Sequence, residues 1–323
     1  MSRPLRCCLR VSPLFLLLQA GCFGGTAPPA RPEAQLRAET ALSRGIRAEQ
    51  KGDSLEAERF LTQSLTISSS IEDNPARSME LINLARLYRL RPDLLKAEKY
   101  IDQAIATTEI DPRFSAEATY EKALIELAKG SPATALEWAQ KAIAAELGNA
   151  LGIRLNLAAR IQLVRGAWND AETLAGKALI ENRAAGQAEE EANSLRILGV
   201  IARNEKNHDR GAQLLQEALQ IDKRIGKNSK IAADLTELAE TARSAGKLRE
   251  SATYLERAYE VNLAGGRVRQ AIENQQRLAA VYSTTGEEDK AARARETAGK
   301  LEIPNVVQQP GSSSATINPS SRP

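Results

Sequence analysis

Across most of the chain, apolar residues recur with the period of one face of an α-helix. The helical patterns come in pairs, and a short turn separates the two members of each pair. The turns are marked by Gly52, Pro92, Gly130, Gly166, Lys206-Asn207, Gly246 and Gly286, and the last four are 40 residues apart. A fixed period of roughly 20–50 residues is typical of a solenoid. No run alternates β-branched and polar residues between turns, so no strand is predicted.

Small residues occupy fixed places around each turn. Ala171 and Ala178 follow Gly166 by five and twelve residues, and Ala135 and Ala142 follow Gly130 in the same way. A large–small pair precedes the turn, and examples are Leu84-Ala85, Leu198-Gly199, Leu238-Ala239 and Leu278-Ala279. Small residues at these places allow two helix backbones to approach closely, so the two helices of a pair are predicted to pack against each other.

This arrangement resembles the tetratricopeptide repeat, in which a large–small pair on helix A meets two small residues on helix B. The resemblance covers about Leu36 to Leu301, close to seven units, and the period is similar to the 40-residue variant with extended helices. It implies an all-α fold, a right-handed superhelical solenoid of antiparallel helix pairs, over residues 33–302. The chain departs from the family in having leucine where an aromatic residue is common early in helix A.

The N-terminal residues are interpreted as a targeting signal. Three arginines precede an apolar run, Val11 to Leu18, which would span ~12 Å as a helix against ~30 Å of membrane hydrocarbon. Residues 1–21 therefore look like a signal peptide. Ala20-Gly21-Cys22 resembles a bacterial lipobox, which implies that Cys22 is acylated and anchors the protein to a membrane. An ordinary cleaved signal peptide is the alternative.

Phe23 follows the cysteine where an aspartate would imply retention at the inner membrane. The resemblance to bacterial lipoproteins therefore implies an outer-membrane lipoprotein on the periplasmic face. Residues 22–32 are predicted to be the lipidated cysteine and a tether. Residues 303–323, rich in Ser, Pro, Gly and Gln, are predicted to be disordered.

Charge and chemistry favour a binding protein over an enzyme. The 44 Lys and Arg and 41 Asp and Glu become equal in number once the three arginines before Cys22 are removed, and no basic face with aromatic platforms indicates nucleic acid. His208 is the sole histidine and is predicted in a turn between helices. It supports neither a catalytic triad nor a metal site, so no catalytic residue, metal or cofactor is predicted.

The concave face of the solenoid is the candidate binding surface. In a tetratricopeptide stack the exposed positions of helix A line it, and here they are Arg86, Arg89, Asn156, Arg160, Asn193, Arg196, Arg203 and Arg243. Asparagine can hold a peptide backbone and arginine can bind carboxylates, which suits an extended partner with acidic side chains or a free carboxylate. The alternative is a solvated helix face with pairs inside each helix.

These expectations combine into a lipid-anchored scaffold that binds partner proteins in the bacterial envelope. It would help assemble or position an envelope complex, such as pilus secretin, outer-membrane or murein machinery. The rival function is a periplasmic solenoid that captures a glycan or a lipid. Glycan grooves usually stack sugars on aromatic rings, and both tryptophans, Trp138 and Trp168, are predicted near helix B, which disfavours the rival.

Overall fold

The computed structural model describes residues 32–108 and 112–301. Within them the chain forms fourteen α-helices and a short 3-10 helix, Pro112–Phe114. The helices are α1 Glu33–Gln50, α2 Ser54–Ser70, α3 Asn74–Leu90, α4 Leu94–Thr108, α5 Ser115–Ala128, α6 Pro132–Ala145, α7 Leu151–Val164, α8 Trp168–Ala184, α9 Ala188–Asn204, α10 His208–Arg224, α11 Asn228–Ser244, α12 Leu248–Ala264, α13 Val268–Thr284 and α14 Glu288–Lys300. None of these helices is long and apolar enough to cross a membrane.

The helices form seven consecutive pairs, which we call units 1 to 7, and the described residues contain no strand. The odd-numbered helices are the A helices and the even-numbered ones the B helices. The all-α solenoid predicted from the repeat is confirmed. The predicted signal peptide, Cys22 and the predicted disordered tail at 303–323 lie outside the described residues, so these remain predictions.

Each turn between A and B contains one residue with a left-handed backbone. Gly166 has a φ of 75°, and glycines occupy the same position in the A–B turns of units 1, 3, 6 and 7. Around it, the Ala167 amide donates to the Gln162 carbonyl at 2.9 Å and the Gly166 amide donates to the Leu163 carbonyl at 3.0 Å. These bonds cap the end of the A helix, and glycine adopts the required φ without strain from a Cβ. Lys206 takes the same place in unit 5 at a φ of 63°.

The small residues predicted at the A–B contact are buried there. Ala171 and Ala178 on α8 are fully buried, as are Leu84 and Ala85 on α3. In unit 5, a Cβ added to Gly199 on α9 would lie 3.2 Å from the Gly211 carbonyl oxygen on α10, and one added to Gly211 would lie 3.1 Å from the Gly199 carbonyl oxygen. The predicted register of the repeat is therefore correct, and Gly211 is explained by the close approach of two backbones.

Enlarging a buried alanine should test this packing directly. We expect Ala171→Leu to lower the free energy of unfolding by about 1–3 kcal/mol, because the added side chain has no space between the two helices. Ala184→Leu is the matched control, since Ala184 is exposed on the same helix, α8. Chemical denaturation followed by circular dichroism measures both. Equal losses in the two variants would contradict the proposed register.

Polar side chains also occupy equivalent places where one unit joins the next. The first member of each set lies ten residues before the left-handed residue of its own unit's A–B turn, and the second lies sixteen residues after it. The third lies twelve residues before the left-handed residue of the next unit's A–B turn. We call each such set a junction triad: Asn156, Asn182 and Ser194 between units 4 and 5; Arg196, Asp222 and Asp234 between units 5 and 6; Thr236, Asn262 and Asn274 between units 6 and 7.

The members of each triad bond to one another. Asn182 Nδ2 donates to Ser194 Oγ at 3.1 Å, and Ser194 Oγ donates to Asn156 Oδ1 at 2.8 Å. In the last triad, Asn262 Nδ2 donates to Asn274 Oδ1 at 2.7 Å, and Asn274 Nδ2 donates to Thr236 Oγ1 at 3.1 Å. These hydrogen bonds cross from one unit to the next, so the triads join successive units, although Asn182 Oδ1 is buried without a partner among the described residues.

The A helices lie on the inner side of the solenoid. Each helix packs on its neighbours in sequence, and α7 also contacts α9, which in turn contacts α11. No pair of B helices among the described residues makes contacts of that extent. Closer spacing of the A helices curves the stack toward them, so their free faces line its concave side.

Candidate functional site: a groove across the A helices

A groove crosses four successive A helices, α5, α7, α9 and α11. It holds a pocket of about 440 Å³ with aliphatic side chains in its wall, Ile153, Leu157, Ile197 and Val200. Tyr120 of α5 lines the same pocket, whereas Trp138 and Trp168 lie on B helices, as predicted. A second pocket of about 290 Å³ shares Ala233 and Glu237 with the first and extends to α13. The two pockets together make the groove continuous over five units.

Half of the eight residues proposed from the sequence meet in the first pocket. Asn156, Arg160, Asn193 and Arg196 all line it. Arg203 lies beside it, because its Nη1 donates at 2.6 Å to Glu237, which is another lining residue. Arg86, Arg89 and Arg243 are not among the residues that line this pocket.

The expectation that all eight residues are exposed is wrong: only Arg160 and Arg243 are exposed, five are half-buried, and Asn156 is only 3% exposed. Its Nδ2 donates to the Glu190 carbonyl at 2.9 Å and to Glu190 Oε2 at 3.0 Å. Its Oδ1 accepts from Ser194 in the junction triad. Asn156 therefore holds units 4 and 5 together, and its amide has no free group to offer a peptide backbone.

Arg196 is held between two buried carboxylates. Its Nη2 lies 2.5 Å from Asp222 Oδ2, its Nε lies 2.6 Å from Asp234 Oδ1, and neither aspartate is exposed. Burial raises the pKa of Asp234 to about 7, against the pull of Arg196, and also raises the pKa of Asp222. Two carboxylates with one guanidinium leave one surplus negative charge, and a proton between the two aspartates removes it.

Two oxygen atoms identify the place of that proton. Asp222 Oδ1 and Asp234 Oδ2 are buried and accept no hydrogen bond from the donors in the described residues. The two side chains are hydrogen-bond partners of each other when one is protonated. A proton held by Asp234, whose pKa is raised to about 7, would satisfy both oxygens and balance the charge of the triad of Arg196, Asp222 and Asp234.

Apart from Arg160, the other arginines proposed from the sequence also have carboxylate partners. Arg89 Nε lies 2.5 Å from Glu121 on α5, and Arg86 Nε lies 3.9 Å from the same carboxylate. Arg243 pairs at 2.9 Å with Glu240 on its own helix. The predicted stripe of free positive charge is thus largely neutralised inside the protein.

Lys230 is a groove residue that sequence reasoning missed. It lies on α11, 40 residues after Glu190, and both line the first pocket. Its Nζ donates to Asn193 Oδ1 at 3.0 Å. Burial, and then the nearby charge of Arg196, lower the pKa of Lys230. The 40-residue repeat could have identified Lys230 from the sequence, because it places Lys230 at the same repeat position, and so on the same helix face, as Glu190.

The prediction that His208 lies in a turn between helices is wrong. His208 is the first residue of α10. It is half-buried, and its Nδ1 has no hydrogen-bond partner among the described residues. In the part of the chain that the structure describes, no group of three or more His, Cys, Asp and Glu residues is placed to hold a metal ion. The groove is thus the feature to which chemistry can be assigned.

The chain resembles known proteins in its repeat and in its fold. Residues 190–264 match the family model described as tetratricopeptide repeat. No curated protein sequence matches the chain. Several solved structures have a similar fold at low sequence identity.

One of these structures is a signal-transduction ATPase with a tetratricopeptide repeat sensor from Pyrococcus horikoshii, with a TM-score of 0.65 and 18% identity. The match covers 81% of this chain and 42% of that one, so the chain spans less than half of the ATPase. A Rap protein complexed with Competence and Sporulation Factor has a TM-score of 0.62 and 14% identity, over 82% of this chain and 76% of that one. PilW, a type IV pilus biogenesis factor, has a TM-score of 0.53 and 15% identity, over 68% of this chain and 91% of that one. The chain therefore has the fold of a tetratricopeptide-like solenoid.

Proposed function

We propose that this protein is a lipid-anchored scaffold of the bacterial envelope that binds an extended, acidic segment of a partner protein in its A-helix groove. The observation that carries the proposal is the continuous groove, which combines an aliphatic wall with polar groups at its sides. Clefts of this composition are typical of binding sites. The similar solved structures include a Rap protein in complex with a factor and a type IV pilus biogenesis factor, which supports a role in assembly.

A charge placed in the aliphatic wall should abolish partner capture. Val200 lines the groove and is half-buried, so Val200→Glu places a carboxylate where the partner would bury apolar atoms. Ile180→Glu is the matched control, because Ile180 is 68% exposed on a B helix. We expect crosslinking capture from intact envelopes to fall at least about tenfold for Val200→Glu, which is about 1.4 kcal/mol, and to persist for Ile180→Glu.

Circular dichroism must show that both variants are folded. Undiminished capture by Val200→Glu would move the partner site away from the groove. Loss of capture by Ile180→Glu alone would place it on the B-helix side.

The anchor is tested separately. Cys22 follows the apolar run of the predicted signal peptide, and two or more acyl chains give stable membrane attachment. Metabolic labelling with a fatty-acid probe should tag the wild type and leave Cys22→Ser unlabelled and in the soluble fraction. Equal labelling and equal membrane fractions for the two proteins would remove the lipid anchor from the proposal.

A further inference from the structure

Two cations that line the first pocket, Arg160 and Lys230, have no carboxylate partner within the described residues. Arg160 on α7 is exposed and makes no hydrogen bond or ion pair there. Lys230 on α11 has only the hydrogen bond to Asn193. The other cationic side chains at the pocket, Arg196 and Arg203, are already paired with carboxylates. The positive charge of the first pocket that has no ion-pair partner is therefore carried by Arg160 and Lys230.

The two cations belong to helices on either side of α9. Both line the pocket. After burial, the nearby charge of Arg196 lowers the pKa of Lys230 most, the carboxylates of Glu190 and Glu189 raise it, and Arg160 lowers it. Glu190 lines the pocket as well and offsets one of the two cations, which leaves one positive charge. Like charges in a partly buried pocket repel each other, and an anion between them removes that repulsion. The pocket is thus electrostatically suited to one anionic group.

Asn193 adds a directed donor at the same place. Its Oδ1 accepts from Arg196 Nη1 at 2.6 Å and from Lys230 Nζ at 3.0 Å. These two donors fix the orientation of the amide, since a flipped amide would present NH₂ to two cations. Asn193 Nδ2 has no hydrogen-bond partner among the described residues. The nearby wall, Ile197 and Val200, is aliphatic.

We infer that this pocket holds an aspartate or glutamate side chain of the partner segment, with its carboxylate between Arg160 and Lys230. A neighbouring aliphatic side chain of the segment packs on Ile197 and Val200, and Asn193 Nδ2 donates to the ligand. The groove continues past this pocket to α13, which leaves space for the chain to run on. The acidic group is therefore a side chain within the segment and not a terminal carboxylate. The inference rests on the proposed peptide-binding function.

Peptide libraries test the assignment without knowledge of the partner. The probes are nonapeptide pools with acetylated and amidated ends, random except for a central Glu, Gln or Lys, together with a Gln pool that has a free carboxyl end. The full chain is immobilised, and the retained peptide is measured by fluorescence. We expect the Glu pool to be retained about tenfold more than the Gln pool, because a hydrogen bond between two charged groups is roughly twice as strong as one between neutral groups. The preference should fall with salt.

Matched variants assign the effect to the two cations. Arg160→Gln and Lys230→Gln should each abolish the preference for Glu over Gln. Arg210→Gln is the control, because Arg210 is an exposed arginine on the B helix α10 and pairs with Glu172. It should keep the preference.

The outcomes separate the two levels of the proposal. Equal retention of the Glu and Gln pools overturns the carboxylate site but leaves a peptide groove. Retention of the free-carboxyl pool alone shows that the anion is a chain end and overturns the side-chain assignment. No retention of any pool overturns the peptide groove itself.

Discussion

Arg196→Leu is expected to destabilise the protein by about 3–5 kcal/mol, because it leaves two buried carboxylates without their cation. Asp222 and Asp234 have no access to solvent, and Arg196 supplies the ionic partner of each. Urea denaturation followed by circular dichroism measures the loss. Arg243→Leu is the control, since Arg243 is exposed and pairs with Glu240 on its own helix. A surface change of that kind typically alters stability by less than about 0.5 kcal/mol.

A rescue variant makes this prediction specific. The triple variant Arg196→Thr, Asp222→Asn and Asp234→Asn reproduces the junction triad found between units 6 and 7. We expect it to recover part of the stability lost in Arg196→Leu, because no carboxylate is then buried at this junction without its cation. If Arg196→Leu and Arg243→Leu lose the same amount of stability in urea, Arg196 is not the required ionic partner of Asp222 and Asp234.

The same site limits how partner binding can be tested. Reversal of Arg196 to glutamate, which the sequence alone suggests as a test of the groove, would put three carboxylates in one buried junction. Such a variant reports on folding and not on the partner. Arg160 is the residue to change, because it has no partner within the described part of the chain that its loss would leave unpaired.

Stability should fall as the pH rises from about 4 to about 7. The pKa of Asp234 is raised to about 7 in the folded protein, from 3.8 for an unperturbed aspartate. Between these values the folded state keeps a proton that the unfolded state has released, so raising the pH favours unfolding. Above about pH 7 both states have lost it, and this contribution becomes constant.

Asp222→Asn isolates the effect from other titrating groups. Asparagine can donate to Asp234, and Arg196 then neutralises the remaining carboxylate without a shared proton. The difference in denaturation midpoint between pH 5 and pH 8 should therefore be smaller in Asp222→Asn than in the wild type. A larger or equal difference would show that the two aspartates do not share the proton.

The architecture could be predicted from the sequence because it is periodic. Gly166, Ala171 and Ala178 have equivalents in other units, and close backbone contact requires small residues wherever it occurs. The groove residues were harder to assign. Asn156 on α7 and Arg196 on α9 stand at the same repeat position, and both are held by buried partners on neighbouring helices. Those partners differ chemically from unit to unit, so no repeated pattern marks them.

The junction triads also determine the order in which the units can join. Units of such similar shape could pack on a wrong neighbour, as happens when repeat proteins misassemble. If unit 4 packed directly on unit 6, Asn182 would meet Asp234, and that carboxylate would be buried without the guanidinium of Arg196. A buried charge without its partner costs several kcal/mol. The ionic triad between units 5 and 6 thus disfavours every arrangement that separates Arg196 from Asp222 and Asp234.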